Sequence, residues 1–279
     1  MKIKFLRFPE GKTKAVTLSY DDGVEQDIKL VEMMTDYGFY GTFNLNSLCF
    51  ASRLKKYDKD QICDRRLPEK EAIRLYKKHS MEIGCHSLTH TFLERLPYPL
   101  ALREIIEDRQ RLENASGSII HGFAYPYGTY SDDTVNALKN AGFYYARTTT
   151  SSESFDLPKD WLRLNPTCHH NDPGLEDKTI LFRNEDVGAD PKLFYLWGHS
   201  YEFDENKNWN VIENFFKKLE KRDDIWYASN IEIYNYIRAY ESLDFSLEMN
   251  YVSNPSAIDV WILAKGKNIK VPRGKTVKI

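Results

Sequence analysis

The stretch Ala15–Gly23, AVTLSYDDG, decides the fold class of this 279-residue chain. It opens with six mainly apolar and β-branched residues, which is typical of a strand that is buried on both faces of a sheet. Two carboxylates and a glycine follow at the point where this strand ends. The next segment, Gln26–Tyr37, has the pattern of a helix and precedes Gly38, a residue that commonly ends helices. The stretch therefore predicts a buried strand that leads into a helix.

The same succession of strand and helix recurs along the chain. Short apolar runs predict seven strands, at Ala15–Tyr20, Gly41–Asn46, Met81–His86, Ile120–Tyr125, Tyr144–Thr149, Phe194–His199 and Ile225–Asn230. Longer patterned stretches predict helices at Gln26–Tyr37, Glu69–His79, Leu100–Asn114, Asp132–Asn140, Trp209–Lys221 and Ile231–Tyr240. Such alternation indicates parallel strands joined by helices. Seven strands in series favour a closed or nearly closed α/β barrel, although a doubly wound sheet produces the same alternation.

Two segments break this rhythm. Pro158–Asp190 contains three prolines, two glycines and polar clusters, so we predict a long loop, and loops of that length are often functional. Near the end of the chain, β-type runs are separated by Lys-Gly turns. The predicted domains are accordingly residues 1–243 and a small C-terminal β appendage of residues 244–279.

The composition argues against several classes of protein. There are 39 basic and 41 acidic residues, giving a net charge of −2, and no basic stripe of the kind that binds nucleic acid. The four cysteines lie far apart, which argues against a disulfide framework or a cysteine zinc site. No apolar run is long enough to cross a membrane, and the N-terminus lacks the apolar core of a signal peptide. We expect a protein that is cytoplasmic as written, or secreted if a leader has been removed, and whose oligomeric state is open.

Polar residues cluster where the predicted strands end, which is where parallel α/β folds carry their chemistry. His86 and His90 are four residues apart, so a helical turn would place both imidazoles on one face, and Asp22 could complete a His₂-carboxylate metal site. Asp21 could then take a proton from bound water, and His199 could protonate a leaving amine. The alternatives are a solvated Asp-Asp-Gly turn and structural histidines.

Taken together, these residues resemble the polysaccharide deacetylase (NodB-homology) family, carbohydrate esterase family 4. The resemblance covers Ala15–Tyr240. Four motifs carry it: Ser19–Gly23 (SYDDG) is similar to T-F-D-D-G, His86–His90 (HSLTH) meets H-[ST]-x-x-H, Phe123–Gly128 (FAYPYG) is similar to R-x-P-[YF]-G, and Trp197–His199 (WGH) matches the late histidine motif.

The resemblance implies a distorted (β/α)₇ barrel that hydrolyses an N-acyl group, typically N-acetyl, of an amino sugar or polysaccharide. Residues 1–243 would be the catalytic domain. It further implies that a divalent ion, zinc or else cobalt or nickel, is held by Asp22, His86 and His90, with Asp21 as general base and His199 as general acid. The substrate-binding residues implied are Pro126 and Tyr127, whose backbone N–H would hold the oxyanion, and Trp161 and Trp197 beside the acyl group.

One departure from the family pattern concerns the arginine that tethers the general base, because Ala124 stands in its place. Arg147 or Arg163 could substitute for it. Trp161 is also uncertain in role, since ordinary anchoring of its loop explains it equally well. For His169 and His170, in the predicted long loop, we favour a solvated pair over groups that support the site.

Two other functions stay open at this point. The missing arginine is compatible with a carbohydrate-binding pseudoenzyme on the same fold. The absence of a leader is equally compatible with a hydrolase of a small non-sugar amide. The high aromatic content, 14%, fits either a large core or a groove in which sugar rings stack.

Overall fold

The computed structural model describes residues 5–53, 61–185, 188 and 190–279. Its strands are β1 Phe5–Arg7, β2 Lys14–Asp21, β3 Gly41–Leu45, β4 Glu82–Cys85, β5 Gly122–Ala124, β6 Tyr145–Arg147, β7 Cys168–His169, β8 Lys192–Gly198, β9 Ile225–Tyr227, β10 Asp244–Phe245, β11 Tyr251–Ser253, β12 Val260–Ala264, β13 Lys267–Val271 and β14 Thr276–Lys278. Its helices are α1 Gln26–Tyr37, α2 Glu69–Lys78, α3 Tyr98–Ser116, α4 Asp132–Asn140, α5 Leu175–Asn184, α6 Tyr201–Glu205, α7 Trp209–Leu219 and α8 Asn230–Glu241.

A curled parallel sheet forms the centre of the molecule. Its strand order is β6-β5-β4-β3-β2-β8-β7, and β9 also pairs with β2. Every one of these pairings is parallel. The predicted α/β alternation and the distorted (β/α)₇ fold are confirmed, and each of the seven predicted strands corresponds to a strand of this sheet.

The strand β2 lies at the centre of the sheet, where it pairs with β3, β8 and β9, and its sequence is rich in apolar and β-branched residues. All eight residues of Lys14–Asp21 are buried, and β2 pairs with β8 from Lys14 to Tyr20. Helices pack their apolar faces on the sheet; α1, for example, contributes Leu30, Val31 and Met34 to the main core. Among the described residues, no helix combines the length and the apolar character needed to cross a bilayer.

The prediction of a long loop over Pro158–Asp190 is wrong. This segment contains β7, which pairs in parallel with β8, and the ten-residue helix α5. Neither element has a sequence pattern that predicts it clearly. The strand β7 has only two residues, one of them a histidine, so it offers no apolar run. The helix α5 buries only a narrow stripe, Leu175, Thr179 and Phe182, that directly follows a proline-rich stretch.

The residues after α8, together with β1, form two small antiparallel sheets. One has the order β10-β11-β14, and the other has the order β1-β12-β13. The strand β1, near the beginning of the chain, therefore pairs with β12, with Phe5 opposite Leu263. A separate apolar cluster around Val252, Val260 and Ile262 lies between these strands and α8. The predicted β character of 244–279 agrees with the structure, while the division into two domains stays a prediction.

Candidate active site

Residues from several strand ends meet at one edge of the curled sheet. Asp21 is the last residue of β2, His86 directly follows β4, and His199 directly follows β8. Because the strands are parallel, their carboxyl ends lie at the same edge. Candidate ligand atoms of Asp22, His86 and His90 all lie within 4.8 Å of one another.

The spacing of these three side chains suits a divalent ion. His90 Nε2 lies 3.8 Å from Asp22 Oδ1, and the imidazole centroids of His86 and His90 are 4.8 Å apart. Two ligand atoms that each lie ~2.0–2.2 Å from a shared zinc ion are at most about 4.4 Å apart, so the Asp22–His90 distance suits a shared ion. Asp22 Oδ1 is buried and accepts no aligned hydrogen bond from the described part of the chain, although Arg66 Nη1 lies 3.0 Å away as an ion-pair partner. Two imidazoles and a carboxylate are moreover ligand types that zinc accepts.

His86 presents the nitrogen that a metal ligand requires. Its Nδ1 lies 2.8 Å from the backbone oxygen of Ala124. A carbonyl oxygen only accepts hydrogen bonds, so the proton is on Nδ1 and the lone pair is on Nε2. Burial lowers the pKa of His86 to about 4, despite the opposing effect of Asp21, so the ring is neutral at physiological pH. Asp108 supports this turn by accepting the backbone N–H of His86 at 3.2 Å.

Arg66 reaches the same carboxylate from the segment before α2. Its Nη1 lies 3.0 Å from Asp22 Oδ1, and it donates hydrogen bonds to the Asp22 backbone oxygen and to Asn46 Oδ1. The guanidinium therefore anchors the backbone of Asp22 while its charge offsets the charge of the carboxylate. Sequence reasoning missed this residue, since Arg66 belongs to no motif.

The backbone is strained around this edge. Four residues other than glycine have left-handed φ angles, namely Asp22 at 85°, Ser87 at 62°, His90 at 56° and Tyr127 at 59°. Such conformations cost about 1–3 kcal/mol each and persist where the surrounding structure enforces them, often at functional sites. Four such residues lie at this edge, which indicates that the surrounding structure enforces strained backbone conformations in order to place these side chains.

Asp21 forms a buried ion pair with Arg147, at the end of β6. Asn44 Nδ2 donates to the other carboxylate oxygen of Asp21 at 2.8 Å. Burial alone would raise the pKa of Asp21, but Arg147, His86 and His199 together outweigh it and lower the pKa to about 2. Arg147 thus makes the contact required of a substitute for the missing motif arginine. Arg163 instead forms surface ion pairs with acids outside this site, Asp132 and Asp160.

A second group of titratable residues adjoins the first. His199 Nε2 lies 3.8 Å from Asp21 Oδ2, and His199 Nδ1 lies 3.4 Å from Glu202 Oε1. Glu202 Oε2 in turn lies 3.1 Å from His169 Nε2 and 2.9 Å from His170 Nε2. His170 is fully buried, so the prediction that His169 and His170 form a solvated pair is wrong. The spacing of Glu202, three residues after His199, was the one available signal for its role.

The aromatic residues predicted to bind substrate fall into two groups. The guanidinium carbon of Arg147 lies 4.4 Å from the Trp197 ring centroid, and Trp197 lies 5.8 Å from His199. Tyr127 is half exposed, and its ring packs edge-on against His90 at 4.6 Å. Pro126, its neighbour, is buried. Trp161 instead contacts Tyr234 of α8 at 5.0 Å, so its predicted role beside the acyl group stays a prediction.

A sequence model described as polysaccharide deacetylase matches residues 9–146, which include the Asp21-Asp22 and His86/His90 motifs. The predicted resemblance to the polysaccharide deacetylase family is confirmed. It supports a hydrolase that acts on carbohydrates. None of the curated protein sequences matches the chain.

Solved structures of polysaccharide deacetylases and related esterases share the fold at low sequence identity. A protein from Mycobacterium smegmatis, assigned provisionally to the polysaccharide deacetylases, is 16% identical with a TM-score of 0.58, over 86% of this chain and 96% of that one. A family 4 acetyl xylan esterase from Clostridium thermocellum, in complex with a cobalt ion, is 13% identical with a TM-score of 0.51, over 79% and 90%. A mutant of the Bacillus anthracis pseudoenzyme BA3943, with restored enzymatic activity, is 15% identical with a TM-score of 0.50, over 82% and 70%.

Proposed function

We propose that this protein is a metal-dependent hydrolase that removes an N-acyl group, typically acetyl, from an amino sugar or polysaccharide. One observation carries the proposal: the Asp22, His86 and His90 ligand atoms converge within 4.8 Å beside the buried carboxylate of Asp21. Such a triad uses three protein ligands and leaves a coordination position open, as catalytic zinc sites do.

Asp22, His86 through Nε2, and His90 would hold the ion. A divalent ion of the zinc type, when bound, lowers the pKa of water to about 7 and polarises an acyl carbonyl. Zinc, cobalt and nickel all accept such nitrogen and oxygen ligands. The chain orients two of these ligand side chains: the Ala124 carbonyl oxygen accepts a hydrogen bond from His86, and Arg66 forms an ion pair with Asp22.

In the proposed reaction, Asp21 accepts a proton from the attacking water. Its low pKa means that the carboxylate is ionised at neutral pH, and Arg147 and Asn44 fix its orientation. A carboxylate this acidic holds a proton only briefly, so the proton taken from water must pass on within the site. Water supplies the oxygen that bonds to the acyl carbon, and the carbon–nitrogen bond breaks.

His199 is the proton donor to the departing nitrogen. Burial lowers its pKa, but the carboxylates of Glu202 and Asp21 outweigh that effect and raise it above the ordinary value. The imidazole therefore retains its proton nearer to neutral pH than a free histidine does. Its Nε2 is on the Asp21 side of the ring, 3.8 Å from that carboxylate. The amine that leaves thus receives its proton from a group next to the reacting carbon.

Aromatic rings beside the triad support a carbohydrate substrate. The Tyr127 ring stacks on Phe92 with centroids 3.8 Å apart, and half of Tyr127 is exposed. This arrangement offers a rigid apolar surface of the kind that sugar rings contact. Trp197, beside His199, would adjoin the acyl group. The resemblance also assigns the Tyr127 backbone N–H to the oxyanion, and both Tyr127 and Gly128 have left-handed φ angles, 59° and 73°.

Release of acetate from N-acetylated chitooligosaccharides tests the proposal. We expect turnover that a chelator abolishes and that added zinc or cobalt restores. Asp21→Asn and His90→Ala should remove it, whereas His79→Ala, a change at a half-buried histidine that hydrogen-bonds with Thr35, should not. Metal binding without turnover of any N-acyl substrate would instead indicate a carbohydrate-binding pseudoenzyme.

The pseudoenzyme alternative drew its support from Ala124, which stands where the family has an arginine. Arg147 supplies a cation at the same carboxylate, so that support is lost. The small-amide alternative is tested in the same assay, since turnover of small N-acetyl amides without turnover of any N-acetylated sugar would favour it.

A further inference from the structure

The carboxylate of Glu202 faces three imidazole rings. Its Oε2 lies 3.1 Å from His169 Nε2 and 2.9 Å from His170 Nε2, and its Oε1 lies 3.4 Å from His199 Nδ1. The turn that brings Glu202 over His199 is fixed by Ser200, whose Oγ donates to the buried Asp27 at 2.5 Å. A carboxylate in such a place either binds a cation together with the histidines or controls their protons.

The positions of the protons on these histidines favour the second role, in which Glu202 controls the protons of the imidazoles. The backbone N–H of Asn171 donates to His169 Nδ1 at 3.1 Å. His169 Nδ1 therefore has no proton, and the neutral ring carries its proton on Nε2, the atom that faces Glu202. A protonated nitrogen donates to a carboxylate but offers no lone pair to a cation. His169 thus acts as a hydrogen-bond donor that holds Glu202.

His170 holds the carboxylate from a second side. Its ring is fully buried and stacks on Phe203, with centroids 4.1 Å apart. Its Nδ1 lies 3.3 Å from the hydroxyl of Tyr20, and its Nε2 lies close to Glu202 but off the line of a hydrogen bond. His170 therefore restricts Glu202 mainly by packing, and the carboxylate has little freedom to turn away from His199.

The fixed position of Glu202 determines which ring nitrogen of His199 carries the proton. A carboxylate is only an acceptor, so Glu202 favours the His199 ring with a proton on Nδ1. The Nε2 atom is then the one that gives up and regains a proton on the Asp21 side. The two atoms lie 3.4 Å apart and are not aligned as a hydrogen bond in this structure, and catalytic hydrogen bonds often tighten only when substrate binds. Glu202 is partly buried, and in serine proteases an acid that orients a catalytic imidazole is worth several orders of magnitude in turnover.

We propose that Glu202 is a positioning residue that fixes the tautomer and orientation of His199 as proton donor, and that His169 and His170 hold Glu202 in place. This inference rests on the proposed hydrolase function. It concerns this chain's own solution to orienting its histidine, because Glu202 lies on the short helix α6 directly after the histidine motif.

Leaving-group dependence tests the proposal. An amine must be protonated as it departs, whereas 4-nitrophenolate departs from 4-nitrophenyl acetate without a proton. We expect Glu202→Gln to lower kcat on N-acetylated chitooligosaccharides about 10²-fold or more, with little change in chelator-sensitive hydrolysis of 4-nitrophenyl acetate. Glu202→Asp, which keeps the charge, should recover part of the loss. Glu205→Gln, at an exposed position on the same helix, should change neither reaction.

A readout that does not depend on turnover accompanies the kinetics. Nitrogen-15 spectra of histidine-labelled, zinc-loaded protein should report His199 protonated on Nδ1 in the wild type and a different proton distribution in Glu202→Gln. Equal losses on both substrates, or unchanged kinetics and spectra, would overturn the proposal. So would a second equivalent of bound zinc that Glu202→Gln removes, since the carboxylate would then be a metal ligand. A wild type inactive toward both substrates but with the expected spectra would refute the hydrolase function and leave the positioning of His199 supported.

Discussion

The ion pair between Arg147 and Asp21 can be tested by its effect on stability, because both side chains are almost completely buried. Only 1% of the Arg147 side chain and 2% of the Asp21 side chain are exposed. Arg147→Met would keep most of the side-chain volume but leave a buried carboxylate whose hydrogen-bond donor, among the described residues, is Asn44. Removal of one partner of a buried ion pair typically costs about 3–5 kcal/mol. Loss of the guanidinium over Trp197 adds to this cost.

A double-mutant cycle isolates the ion pair from other effects of the substitution. Asp21→Asn removes the charge that Arg147 neutralises, so the double variant contains no unpaired charge. We expect it to be more stable than Arg147→Met alone, with a coupling free energy of about 2–3 kcal/mol. Urea unfolding followed by circular dichroism measures these values. A chelator should be present throughout, since bound metal would stabilise the folded state by mass action.

Arg163→Met is the matched control, since Arg163 was the rival candidate and makes surface ion pairs with Asp132 and Asp160. Exposed pairs of that kind are worth about 0–1 kcal/mol. If Arg147→Met costs no more than Arg163→Met, or if the Arg147 and Asp21 substitutions are simply additive, the buried ion pair is not what tethers Asp21.

Three further predictions follow from the site. His90→Ala should weaken zinc binding at least about 100-fold, measured by titration calorimetry, because even outer-shell partners of a ligand are worth 10–100-fold; unchanged affinity would exclude His90 as a ligand. His199→Ala should lower kcat about 10²–10⁴-fold. Because the protonated ring is the active form and its pKa is raised, wild-type kcat should decline with rising pH only above about 6.5, and Glu202→Gln should move this decline to lower pH. Burial raises the pKa of Asp27 to about 7, against the effect of its hydrogen bonds, so its stabilising contribution is complete below about pH 4 and lost as the pH rises through 7. The cost of Asp27→Asn in urea unfolding should therefore be about 2 kcal/mol smaller at pH 8 than at pH 5.5, and a cost independent of pH would count against that shift.

Much of the sheet and the edge of the site could be predicted because these features are local in sequence. A mainly apolar and β-branched run predicted β2, and parallel strands necessarily bring Asp22 and His86 to one edge. The sequence offered Arg147 and Arg163 as partners of Asp21 but could not choose between them, since β6, which carries Arg147, lies four strands away from β2 in the sheet order. A flat sheet would separate these strands by about 19 Å. Only the curl of the sheet brings Arg147 to Asp21, and no single segment of sequence encodes that curl.

The group around Glu202 was missed for a different reason. Its members lie on the two-residue strand β7, in the turn after it, and on the five-residue helix α6. Elements this short have too few residues for a periodic pattern to emerge. The burial of His170 depends on Tyr20 and Phe203, which come from distant parts of the chain.

The pairing of β1 with β12 has a consequence for how the protein is made. Phe5 pairs with Leu263, so 258 residues (263 − 5) separate the two partners along the chain. At a synthesis rate of about 5–20 residues per second, the first strand waits about 13–50 s on the ribosome before its partner emerges. During that interval its backbone N–H and C=O groups lack their strand partner and are available to pair with other chains. Slower translation should therefore increase aggregation of the nascent chain, and removal of residues 5–7 should reduce that sensitivity.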